Sequence, residues 1–151
     1  MGNRYVVKQQ LITPTAGNDI VTITSISSRR GRLIEVTVAG RGTTSAAQQI
    51  EIGRSTGGST GGGAQTPGKF DHTDEPAAVF TYNTTWASQP TLDAHSEVLG
   101  WNALGGGGRW VPPRGSAFEI RGAATPEQLS IRASAGVSFQ QASLSLVFEE
   151  D

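Results

Sequence analysis

Glycine and other turn residues interrupt this chain so often that no long regular element fits between them, and the stretches left over alternate with a period of two. Leu144, Leu146 and Phe148 fall on one side of such a stretch while Ser143, Ser145 and Val147 fall on the other. That is the pattern of a strand with one buried face, and it is expected near a sheet centre. Comparable β-branched and aromatic runs cover 5–12, 20–26, 33–38, 50–52, 79–82, 98–101, 118–120 and 129–131. Their spacing predicts an all-β fold, a jelly-roll-like β-sandwich or barrel of about eight to nine strands with long Gly-rich loops and little helix.

Composition supports the same reading. Gly, Ser, Thr and Pro make up 57 of 151 residues, and none of them favours a helix interior. No window of helical length carries an i, i+3, i+4, i+7 apolar face; the nearest approach, 43–50, spans two turns at most. A helical bundle is excluded. With 36% hydrophobic residues the chain can fill one core, so 1–151 is read as a single β domain. It is expected to carry a short extended N-terminal arm (about 1–8) and a Gly-rich loop (53–68) in which seven of sixteen residues are Gly. A second loop is expected at the four glycines of 105–108, both loops being mobile unless a partner holds them.

A net charge of −1 gives no general attraction to polyanions, so neither nucleic acid nor a membrane surface is an expected partner. The absence of cysteine removes disulfides, thiolate metal sites and thiol nucleophiles. The opening residues lack the apolar core of an export signal, and no apolar run reaches the ~18 residues of a membrane span, so a soluble protein is expected. Charge is nonetheless uneven: 1–54 holds seven basic and three acidic side chains, 55–108 one basic and five acidic, and Arg outnumbers Lys ten to two. Docking of copies, positive segment to negative segment, is one reading; mixing of the segments within one folded sandwich is the other.

Motifs for chemistry fail on their contexts. Gly57-Gly58-Ser59-Thr60-Gly61 matches the nucleophile elbow, but the Gly- and Pro-rich sequence behind it cannot form the required helix. Gly63 to Lys69 approaches a phosphate loop, with Phe70 where a hydroxyl must stand. Asp71-His72-Thr73-Asp74-Glu75 offers ligands for a divalent ion and reads equally as a solvated acidic turn. Glu35, Glu51, Asp93, Glu97 and Glu119 supply carboxylates, yet no spacing selects a glycosidase pair. Arg29-Arg30-Gly31-Arg32 is a basic knot at an expected hairpin, suited to a carboxylate-rich partner or simply to solubility. Asn83-Thr84-Thr85 has the glycosylation pattern but no export signal to make use of it. Trp86, Trp101 and Trp110 flank the tetraglycine and suit a sugar-stacking platform, an interface anchor or the core. No catalytic residue, cofactor or metal is expected.

The order of features resembles that of small virion proteins that decorate or cement the capsids of tailed bacteriophages. The resemblance is carried by Asn3-Arg4-Tyr5, Arg32-Leu33-Ile34-Glu35-Val36, Ile50-Glu51-Ile52-Gly53-Arg54 before the Thr/Gly loop, Thr66-Pro67, Asp71, Pro76-Ala77-Ala78, Arg109-Trp110-Val111-Pro112-Pro113-Arg114-Gly115 and the closing Phe148-Glu149-Glu150. It implies a jelly-roll or related barrel, located on the virion, that binds the major capsid protein of a phage head, commonly as a homotrimer, and staples the shell. Arg4, Tyr5, Arg54, Lys69, Trp86, Trp101, Arg109, Trp110 and Arg114 are the expected partner contacts. The alternative is a carbohydrate-binding jelly roll of a head fibre or host-recognition protein, built on the tryptophans.

Overall fold

The period-two alternation becomes two antiparallel sheets and a small ribbon in a computed structural model of the chain, which describes residues 2–25, 29–70, 78–113, 118–122 and 127–151. In chain order the strands are β1 (Asn3–Ile12), β2 (Asp19–Thr24), β3 (Arg30–Gly40), β4 (Ala47–Thr56), β5 (Ser59–Thr60), β6 (Gly68–Lys69), β7 (Thr81–Asn83), β8 (Trp86–Ser88), β9 (Thr91–Asn102), β10 (Gly107–Trp110), β11 (Glu119–Arg121), β12 (Gln128–Ala133) and β13 (Ala142–Glu150). No helix occurs among the described residues.

The first sheet runs β10-β3-β13-β1-β6, with β11 sharing the β3 edge beside β10; the second runs β7-β2-β12-β4-β9; β5 and β8 form the ribbon. The wiring follows from five ladders. β1 pairs with β13, β2 with β12, β3 with β10 and β11, and β4 with β9, all antiparallel. The chain is thus one long antiparallel ribbon, folded back on itself and rolled so that β1 to β4 alternate between sheets. The β13–β3 and β12–β4 ladders close the roll. This is a jelly-roll-like β-sandwich.

Inward side chains from both sheets fill one core. Val7, Leu33, Val36, Val38, Leu144, Leu146 and Phe148 meet Val21, Ile23, Ile50, Ile52, Leu129 and Ile131, none more than 3% exposed. Burying each leucine or isoleucine contributes about 1.5–3 kcal/mol. β13 lies centrally with Leu144, Leu146 and Phe148 inward, as its alternation predicts. In β3 the alternation slips: Leu33 and Val36 are both buried. A bulge resolves it, because Phe148 pairs with Leu33 and Val147 with Glu35, leaving Ile34 as the extra residue.

All nine expected strands are present, several of them longer than expected (β9 begins at 91, not 98), and the short β5, β6, β8 and β10 are additional to the eight to nine expected. Other expectations need correction. The N-terminal arm is no arm: residues 3–12 are β1, paired on both sides by β13 and β6. Gly107 and Gly108 of the tetraglycine belong to β10, since β3 offered an unpaired edge there. Within 53–68, the segment 53–56 completes β4, and Gly57 and Gly58, both with positive φ, turn the chain into β5. Gly31 is a strand residue, not a hairpin residue; its backbone lies against the Phe148 ring, where a Cβ would overlap.

Candidate interaction surface

Strand alternation that sends Tyr5, Val7, Leu146 and Phe148 inward sends Arg4, Val6, Lys8, Ser145, Val147 and Glu149 to the outer face of the first sheet. The register arranges this face in rows. In one row Arg4, Glu149, Arg32 and Glu119 stand opposite one another across β1, β13, β3 and β11, with charges alternating in sign. Glu149 takes Arg4 Nε at 3.3 Å and an Arg32 Nη at 2.5 Å, while Arg32 also reaches Asp151 at 3.5 Å. Glu149 is only 8% exposed, so this carboxylate is held in place between two guanidiniums. Its hydrogen bond, followed by its charge, raises the Arg32 pKa above the ordinary arginine value.

In the adjacent row Val6 and Val147 are paired and half-buried, with Glu35 beyond them. The third row carries Lys8, Ser145, Thr37 and Arg109. Arg109 donates to Glu35 at 2.8 Å, and that hydrogen bond, aided by one from Thr37 and opposed by partial burial, lowers the Glu35 pKa. Phe70, 56% exposed, overhangs the β6 side. Together Val6, Lys8, Glu35, Lys69, Phe70 and Val147 border a broad depression of about 640 Å³. Apolar side chains (Val6, Phe70, Val147) and charged ones (Lys8, Glu35, Lys69) share its lining, a mixture that suits contact with a protein.

Apart from Arg109–Glu35, the ion pairs of this face join basic residues of 1–54 to acidic residues of 119–151, outside the acidic segment 55–108. Basic residues of the N-terminal segment neutralise acidic residues near the C-terminus, because β1 and β3 flank β13. The basic knot joins the same scheme, with Arg30 3.8 Å from Glu119.

Of the expected contacts, the fold brings Arg4, Lys69 and Arg109 to this one sheet. Arg54 is exposed on β4 of the other sheet. Tyr5 is 0% exposed, and Trp101 and Trp110 are 8% exposed, which corrects their assignment as contacts. Trp101 packs 6.4 Å from Phe139, and Trp110 stacks on Phe118 at 5.7 Å. Their place in the core follows from large rings closing the sandwich, and it removes a platform made of three tryptophans. Trp86 alone is half-buried, on β8 at one end of the roll. Arg114 and the 71–75 cluster lie outside the described residues, and among the described residues no group of three His, Asp or Glu side chains could hold a metal.

Ser59 lies in β5 and shares a 2.9 Å hydrogen bond with Ser88 of β8, with no helix behind it, so the elbow geometry is not formed. Glu35 and Glu119 are each engaged by an arginine, on the other sheet from Glu51, Asp93 and Glu97. Sequence reasoning missed Val6, Lys8, Phe70 and Val147. Alternation in β1 and β13 was the signal for three of them; nothing local marked Phe70. Comparison of the chain with protein-family models, curated proteins and solved structures finds no match.

Proposed function

We propose that this protein is a non-enzymatic structural component of a tailed-phage virion that binds the outside of the capsid, as a homotrimer, and bridges major capsid subunits. The resemblance in the order of its turn and strand signatures suggests the setting. The observation that carries the reading is the outer face of the first sheet, where Val6 and Val147 lie between charged rows and the exposed Phe70 stands beside Arg4. Such a face suits a protein partner: apolar contact supplies affinity and the charges fix orientation. A protein that binds the assembled lattice and not its free subunits stabilises the shell by mass action, and three copies in one trimer add avidity.

The test uses capsids assembled from the major capsid protein encoded nearest to this chain. Wild type is expected to co-sediment with them, and Val147→Arg and Phe70→Ala to lower occupancy about tenfold or more while leaving the melting temperature within a few degrees. Undiminished occupancy in both variants refutes this face as the contact, and no co-sedimentation of wild type refutes the function. Light scattering is expected to give about three times the 15.8 kDa chain mass.

A further inference from the structure

At the end of the roll, away from the face just described, a cleft of about 370 Å³ opens between the last residues of β1, the β1–β2 turn and the 84–89 segment. Its size falls in the ~300–1,000 Å³ range of small-molecule sites. It shares no lining residue with the depression on the first sheet. From this cleft we infer a binding site for a neutral saccharide, with Trp86 as its stacking surface.

The lining chemistry selects the ligand. Gln9, Thr13, Thr15, Asn18, Thr84 and Thr85 offer hydroxyls and amides that make no side-chain hydrogen bond within the described protein. Apolar area comes from Ile12, Pro14, Ile20 and the half-buried indole of Trp86. The one ionisable lining residue, Asp19, has a fully buried side chain whose carboxylate accepts from Arg132 at 2.6 Å, from Thr22 at 2.8 Å and from Ser130. Its charge is therefore consumed internally, and the cleft presents neither a free carboxylate for a cation nor a free guanidinium for an anion. An apolar ligand would leave the amides and hydroxyls desolvated and unpaired. What remains is an uncharged molecule with many hydroxyls and one apolar face, which is a sugar ring.

The cleft is also built and held. Gln89 is fixed by accepting the Asp19 backbone N–H at 2.8 Å. Gly61 donates to the Thr85 carbonyl at 3.1 Å, and a Cβ on Gly61 or Gly62 would press on Trp86 or Thr85, so these glycines let the β5 ribbon clamp both. On the opposite wall the β1 ladder is interrupted between Gln9 and Ile12, and Leu11 takes φ 51°, the one non-glycine residue of positive φ among the described residues. This bulge redirects Ile12 and Thr13 into the cleft, and strain of this kind is characteristically kept where a binding geometry needs it.

The full chain is titrated with glucose, galactose, mannose, N-acetylglucosamine, their β-linked dimers and glucuronate, reading tryptophan emission. Because the other two tryptophans are buried, the signal reports Trp86. At least one sugar is expected to give a saturable change, with Kd on the order of 1 mM or tighter. Trp86→Ala and, separately, Asn18→Ala, read by calorimetry, are expected to weaken that binding about tenfold or more. The Asn18 variant keeps the test valid if loss of Trp86 disturbs the ribbon. The inference is overturned by absence of any saturable response up to about 50 mM, by equal affinity in both variants, or by preference for glucuronate over glucose. Capsid attachment of the Asn18 variant is expected to equal wild type, separating this site from the face proposed above.

Discussion

Replacing Arg132 by alanine leaves the Asp19 carboxylate, whose side chain is 0% exposed, with two hydroxyl donors and no counter-charge. The same change removes the guanidinium donor to the Pro90 carbonyl, at 2.6 Å. Breaking a buried pair from one side costs about 3–5 kcal/mol, because the remaining charge stays desolvated. Arg132 is itself 15% exposed, so water can partly replace it and the lower figure, about 3 kcal/mol, is expected. For a chain of this size that corresponds to a fall in melting temperature of about 6–12 °C. Thermal and urea unfolding followed by circular dichroism provide the measurement. Arg109→Ala is the control, since its pair with Glu35 is nearly as short, 2.8 Å, but its side chain is 65% exposed. A loss within the small range of exposed pairs is expected there. Adding Asp19→Asn to Arg132→Ala should recover part of the loss by removing the stranded charge. A loss below about 1 kcal/mol for Arg132→Ala, the range of exposed pairs, refutes the argument that burial and not bond length sets the cost.

Gly31→Ala places a methyl group on the Phe148 ring and beside Phe80, which pack edge to face at 5.0 Å, so a loss of about 1–3 kcal/mol in urea unfolding is expected; an unchanged midpoint refutes the close packing. The Glu35 carboxyl should titrate below the ordinary glutamate range by NMR and move up in Arg109→Gln. Since the folded value is the depressed one, the stabilisation linked to it is present above the unfolded pKa and lost as pH falls through the folded pKa; an unchanged midpoint in the variant refutes Arg109 as the cause. Leu146→Ala, at a position 0% exposed in the core, should cost about 2–5 kcal/mol by thermal unfolding, and less than 1 kcal/mol counts against a closed core.

What the sequence determined by itself was nine of the strands and most of their buried faces, because a half-buried strand writes its period of two directly into neighbouring residues such as Leu144, Leu146 and Phe148. It also determined that helices had no place, through glycine, serine, threonine and proline. Tertiary structure decided which strands became neighbours, since ladder partners such as Arg4 and Glu149 lie far apart in the chain and no local pattern marks them. From that pairing came the alternating charge row, the burial of Tyr5, Trp101 and Trp110, and the recruitment of two glycines into β10. It likewise decided that Trp86 alone would face a cleft. An aromatic residue is equally suited to core and surface until the sheets that cover it are in place.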